Sequence, residues 1–170
     1  VILLTPSGER TILVYRGVSE TLEEKEISWR KLSSRWVYLA PGGISFDLLQ
    51  RLVSHFKKQK TKIAINPSKN QLSLGLRKLK PLLSEIDIII LNQEEASRLT
   101  GIPYQKEKLI FEFLDEEIGG ILVVTEGGKG VKISDGRFVW DAGIFPEKKV
   151  IDRTGAGDAF GSGFVAGLIL

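Results

Sequence analysis

The residues best equipped for chemistry stand near the C-terminus, in the run Asp152-Arg153-Thr154-Gly155-Ala156-Gly157-Asp158-Ala159-Phe160. Gly155 and Gly157, set around Ala156 where a helix should begin, let consecutive backbone N–H groups turn outward. The helix dipole favours an anion at the same point. Such a turn suits the holding of a phosphate or an oxyanion. Asp158 falls in the first helical turn, where a carboxylate serves either as an N-terminal cap or as a general base beside the cradle. Two further groups follow apolar runs. Asn92 and Glu95 have the spacing of a capping box, and Thr125-Glu126-Gly127-Gly128-Lys129-Gly130 reads as a tight turn into the next strand.

Other phosphate patterns fit less well. The motif G-x-x-x-x-G-K-[ST] is absent, because Gly127-Gly128-Lys129-Gly130 lacks both the spacing and the Ser/Thr. Gly155, Gly157 and Gly161 do form G-x-G-x-x-x-G after a short strand, so a dinucleotide-binding, NAD(P)-dependent oxidoreductase is an alternative. Against it, Asp158 would face the pyrophosphate, and the sequence closes before a ribose-binding acid could appear.

These groups must be positioned by alternating strands and helices. Residues 36–40 form a strand, followed by Phe46, Leu49, Leu52, Val53 and Phe56 at helical spacing. A strand at 62–65 leads to one helix through Leu72, Leu76, Leu79 and Leu83, and then to the nearly pure apolar strand 86–91, which must be buried on both faces. Helices over 94–100 and 106–118 precede the strand 121–125. Segments 131–133 and 137–140 pair antiparallel around Asp135-Gly136. A short strand, Val150-Ile151, opens the glycine turn and the terminal helix. An N-terminal hairpin joins 1–5 to 11–15 through Pro6-Ser7-Gly8. The alternation predicts an α/β fold, a mostly parallel sheet with helices on both faces, Rossmann-like in three layers, with small antiparallel additions. Ligands in such sheets bind at the carboxyl ends of the strands, where Pro41-Gly42-Gly43, Asn66-Pro67, Asn92 with Glu95, and 125–128 stand.

Composition narrows the chemistry. The 170 residues carry a net charge of +3 with 42% hydrophobic and 26% charged residues, ordinary material for one packed domain. Without Cys there is no disulfide, thiolate zinc site or thiol nucleophile, and a single His argues against His-rich metal sites and a Ser-His-Asp triad. His55 reads as a partly buried or surface residue of the first long helix. The cysteine-free composition is compatible with a reducing, cytoplasmic setting. Lysines 57, 58, 60 and 62, and Arg77, Lys78 and Lys80, read as solvated helix ends, so no nucleic-acid partner is expected. The low-charge stretch 159–170 is too short for a bilayer span, and no membrane partner is expected. A start at Val1 without Met and a stop inside an apolar stretch suggest a piece that continues at both ends.

The run 152–158 resembles the second signature of the ribokinase-like (PfkB) carbohydrate kinases, D-T-x-G-A-G-D, with Arg153 where that family usually has Thr. Asn92-Gln93-Glu94-Glu95 resembles the family's N-x-x-E motif, and 125–130 its T-x-G-x-x-G nucleotide loop. Order and approximate spacing agree for all three, and the resemblance covers essentially the whole chain. It implies a partial PfkB-type domain over residues 1–170, central and catalytic, with no second domain. It implies transfer of a phosphoryl group from ATP to a hydroxyl of a sugar, nucleoside or similar small alcohol. Asp158 would be the general base, and Gly155, Ala156 and Gly157 the anion hole. Asn92, Thr125, Gly127, Gly128 and Gly130 would meet the nucleotide, and Asn92 and Glu95 would serve Mg²⁺ largely through water. Asp152 and Thr154 correspond to positions near a monovalent-cation site in some members. A homodimer of the complete enzyme is compatible with the family, as is a non-catalytic ligand-binding relative. Because the family's Gly-rich sugar motif, most of its lid and its adenine-closing region are missing, the isolated 170 residues are expected to be nearly inactive.

Overall fold

The computed structural model describes residues 2–4, 10–13, 17, 22–146 and 154–170. Two strands, β1 (Ile2–Leu4) and β2 (Arg10–Ile12), pair antiparallel as a separate ribbon. The main sheet has six strands in sequence order: β3 (Trp36–Leu39), β4 (Lys62–Ile65), β5 (Ile88–Asn92), β6 (Ile121–Thr125), β7 (Val131–Ser134) and β8 (Val139–Ala142). The first four run parallel, and β7 and β8 add on antiparallel. The expected fold class holds: a mostly parallel sheet between helices, with a small antiparallel addition.

Alternation along each strand sends residues to opposite faces. Val37, Leu39, Ile63, Ile65, Ile89, Leu91, Leu122 and Val124 pack into one large core with α1 (Phe46–Lys58), α3 (Leu76–Leu83), α4 (Gln93–Thr100) and α5 (Glu107–Glu117). Ala64, Ile88, Ile90 and Val123 face the other way and meet Val165, Phe160 and Phe164 of α6 (Ala156–Ile169). Parallel strands added in order by crossovers of one hand carry their connecting helices on one face, and the helices between β3 and β6 all pack into the large core. Of the described helices, the other face receives α6.

Several boundaries differ from the sequence reading. The single helix expected through Leu72 and Leu83 is two, α2 (Lys69–Leu72) and α3, broken at Gly75, whose φ of 76° no helix interior accommodates. Strand β5 begins at Ile88 rather than residue 86, since the Asp87 carboxylate turns back to accept from the Ile63 N–H at 2.9 Å and to pair with Lys62 at 2.7 Å. Strand β8 begins two residues late because Asp135 accepts from the Arg137 and Phe138 N–H groups, holding 135–138 as a turn. Val150-Ile151 and most of the opening hairpin lie outside the described residues. His55 is half-buried as expected. It sits edge-on to Trp29, 5.1 Å between ring centroids, with a ring nitrogen 2.9 Å from the Leu32 carbonyl.

Candidate active site

The carboxyl ends of the parallel strands converge on one edge. Asn66 follows β4, and its N–H donates to the Leu39 carbonyl of β3 at 2.9 Å. Asn92 ends β5 in direct register with Thr125, which ends β6. Polar residues from three successive strand ends thus gather at one edge, Asn66 level with Ile90 and Asn92 level with Thr125.

Asn92 is the N-cap of α4, and the capping box is complete. Its Oδ1 accepts from the Glu95 N–H at 2.8 Å, while Glu95 Oε2 accepts from the Asn92 N–H at 2.9 Å. Asn66 contributes a third element: its Nδ2 donates to the Ile90 carbonyl at 2.8 Å and to Glu95 Oε2 at 3.3 Å. Burial pushes the Glu95 carboxyl above the usual carboxylate range, against the lowering effect of the bonds from Asn92 and Asn66. A half-buried carboxylate held by two donors on one oxygen keeps its second oxygen for another partner. One such oxygen and a neighbouring amide suit an Mg²⁺ ion that retains most of its waters, and not a closed protein cage. Among the described residues no group of three or more His, Cys, Asp or Glu is arranged to hold a metal directly.

The loop after β6 is a single 3-10 turn, Gly127–Lys129, closed by the Glu126 N–H donating to the Gly130 carbonyl at 2.8 Å. Gly127 takes the left-handed region, φ 57°. Gly130, at φ 106°, is demanded by the fold itself, since a Cβ there would overlap the Ala142 carbonyl and lie 2.9 Å from the Gly143 Cα. Gly127 and Gly128 are exposed and face open space among the described residues. Lys129 leaves the loop to bond Glu107 at 2.6 Å, and that bond raises its pKa.

Across the sheet, α6 starts at Gly155, which adopts the left-handed conformation, φ 77° and ψ 0°. The first intrahelical bond runs from the Ala159 N–H to the Gly155 carbonyl at 2.8 Å, so the N–H groups of Ala156, Gly157 and Asp158 have no acceptor within the helix. A Cβ on Gly157 would meet nothing within 4 Å among the described residues, so packing does not call for glycine there. Asp158 lies exposed in the first turn, as expected, and its backbone carbonyl accepts from the Ser162 hydroxyl at 2.7 Å. Asp152 falls outside the described residues, while Thr154 is exposed just ahead of the helix.

Tyr38 links the two groups. It is half-buried on the α6 side of β3, and its phenol is pushed above the ordinary tyrosine value by burial first, then by the charges of Asp158 and Glu95. The carboxylates of the helix start and of the capping box therefore both act on one side chain. The sequence pattern singles out Asp158, Asn92 and Glu95 and places Asn66 at the ligand edge without a specific role, but it gives Tyr38 none. For Asn66 the signal was a polar residue directly after a strand; for Tyr38 it was a lone hydroxyl in the otherwise apolar Trp36–Leu39.

Taken together, fold and edge define an α/β protein that gathers carboxylates, amides and an open helix N-terminus at the carboxyl ends of its strands. Over residues 1–170 the chain matches the pfkB family of carbohydrate kinases, and it belongs to that family. It is 28% identical over 156 residues to a cytidine kinase of Thermococcus kodakarensis, covering 91% of this chain and 55% of that protein. It is 30% identical over 179 residues to an uncharacterized sugar kinase of Archaeoglobus fulgidus, covering 99% and 67%. Among solved structures, an adenosine kinase from Sinorhizobium meliloti superposes with a TM-score of 0.80 at 22% identity, covering 98% of this chain and 53% of that one. An Arabidopsis thaliana ribokinase complexed with ribose and ATP gives 0.72 at 21%, covering 99% and 55%. The chain thus spans about half the length of several of these proteins, and at these identities the structural likenesses are of fold, which is ribokinase-like. Family membership leaves the oxidoreductase reading of Gly155, Gly157 and Gly161 without support. Among the described residues no helix is long and apolar enough to cross a membrane.

Proposed function

We propose that the protein transfers the γ-phosphoryl group of ATP to a hydroxyl of a sugar or nucleoside, with Asp158 as general base. The observation that carries this reading is the start of α6, where the Ala156, Gly157 and Asp158 N–H groups have no acceptor within the helix and Asp158 stands in the same first turn. In the transfer, the acceptor hydroxyl gives its proton to Asp158 and its oxygen bonds the γ-phosphorus. The bond from that phosphorus to the β,γ-bridging oxygen breaks, and ADP leaves. Phosphoryl transfer asks chiefly for positioning and for neutralising the oxygens of the moving group, which helix-start amides supply without reorganising. That a Cβ on Gly157 would meet nothing within 4 Å among the described residues is compatible with the approach of a ligand there.

Glu95 and Asn92 would hold hydrated Mg²⁺, which would screen the nucleotide phosphates. Thr125, Gly127 and Gly128 would line the nucleotide, with Gly130 keeping the loop tight against β8. Thr154, with Asp152, would serve a monovalent cation. The relatives act on both nucleosides and sugars by name, so the acceptor class is set by a panel that includes cytidine, adenosine, ribose and fructose 6-phosphate.

The test is Asp158→Asn, assayed by ADP release and product formation. The turnover number should fall by a factor of about 10² to 10⁴, the usual weight of a positioned general base, while ATP affinity changes little. Full turnover by this variant would remove Asp158 from the role.

A further inference from the structure

Along β3 the side chains alternate: Val37 and Leu39 join the large core, and Trp36 and Tyr38 face α6. Tyr38 is therefore the last β3 residue on the α6 side before the strand ends at the site edge. Directly above it lies Gly161, which is buried. A Cβ built on Gly161 would run into the Tyr38 hydroxyl, lie 2.9 Å from Tyr38 Cζ and sit 3.5 Å from Ile90 Cδ1.

Gly161 is not there for backbone freedom, because it is a helix-interior residue without a positive φ. In such a place glycine is less favourable to the helix than alanine. What the structure offers in return is close approach: at Gly161, α6 sits against the tyrosine hydroxyl with no side chain between them. Gly161 follows Asp158 by three residues, so the two share a side of the helix about one turn apart. Whatever fixes the height of Gly161 over the sheet also fixes Asp158.

We infer that Tyr38 is a positioning residue for phosphoryl transfer. Its hydroxyl, set against the Gly161 backbone, determines how low the first turn of α6 rests on the sheet and hence where the Asp158 carboxylate stands relative to Asn92 and Glu95. This rests on the reading of Asp158 as the base. The electrostatics agree with the geometry: burial and the charges of Asp158 and Glu95 all keep the phenol protonated, so its size and donor character stay constant.

The test uses the complete gene product and three variants: Tyr38→Phe, Gly161→Ala and the double variant Tyr38→Leu/Gly161→Ala. A displacement of the helix start by an ångström can cost up to about a hundredfold in rate. Gly161→Ala should accordingly lower kcat about ten- to a hundredfold with the KM for ATP within about twofold. The double variant, which makes room for the new methyl group, should recover part of that loss. Tyr38→Phe, which keeps the ring, should fold normally and lose several-fold in kcat, so the inference stays testable if Gly161→Ala does not fold. If the double variant recovers none of the loss seen in Gly161→Ala, or if Tyr38→Phe turns over like the parent, the inference is overturned. Should the parent protein phosphorylate no acceptor, the kinase reading falls and the catalytic consequence with it. Crystal structures showing α6 displaced in Gly161→Ala and restored in the double variant would then still uphold the contact itself.

Discussion

The two faces of the sheet are built differently. One is covered by α1, α3, α4 and α5 over a continuous core in which Leu49, Ile63, Ile65, Leu79, Leu91 and Leu114 are wholly buried. Against the other lies α6, a helix of small residues that buries Gly161 and Val165 and leaves Leu168, Ile169 and Leu170 exposed. The chemistry is divided in the same way. Asn92 and Glu95 belong to the thickly covered side through α4, and their capping box is closed by reciprocal bonds. Asp158 belongs to the thinly covered side, on a helix whose first N–H groups have no acceptor within the helix. In the proposed transfer, the closed capping box would hold charge in place and the open helix start would receive the moving group, so only the helix start would need free donors before substrate arrives.

The difference can be broken or sharpened by mutation. The largest stability effect should come from the thick face: Ile89→Ala, at a fully packed strand position, should cost about 2–5 kcal/mol in denaturant unfolding, whereas Val165→Ala, under a single helix that can settle, should cost well under half as much. Equal losses would mean that the two faces are equally tight. Next, Asn92→Ala should cost about 1 kcal/mol through the lost cap, with a raised Mg²⁺ requirement in the same variant. An unchanged Mg²⁺ profile would reduce Asn92 to a cap alone.

The smallest effect is one of pH. The carboxyl of Glu95 is raised by burial, so the folded state holds its proton to higher pH than the unfolded chain does. Stability therefore falls as pH rises through the interval between the two values, and the penalty is complete above the folded one. Glu95→Gln removes it. The melting temperature of that variant relative to the parent should climb as pH rises above the ordinary carboxylate range in metal-free buffer. A flat difference would show that the Asn66 and Asn92 bonds fully offset the burial.

Much of this was legible from local pattern. Strands β4 and β6 fall where alternating apolar runs placed them, and α4 carries the capping box that the spacing of Asn92 and Glu95 announced. Periodicity and capping are properties of a few neighbouring residues, so one chain is enough to read them. Local pattern fails in two places: the leucine period runs on across Gly75, where the backbone turns to a φ of 76°, and nothing local marks Asp87 as turning back to the Ile63 N–H.

By itself, then, the sequence determined the strand and helix alternation, the glycine turn before α6 and the polar residues at each strand end, because those depend on short-range sterics and hydrogen bonding. Only the tertiary structure decided that Asn66 would brace Glu95 from 29 residues away and that Gly161 would settle on Tyr38. It also brought Asp158 and Glu95, from opposite faces of the sheet, close enough to act on one hydroxyl. Those contacts depend on the crossovers that bring distant segments together, and no local pattern records where a crossover will land.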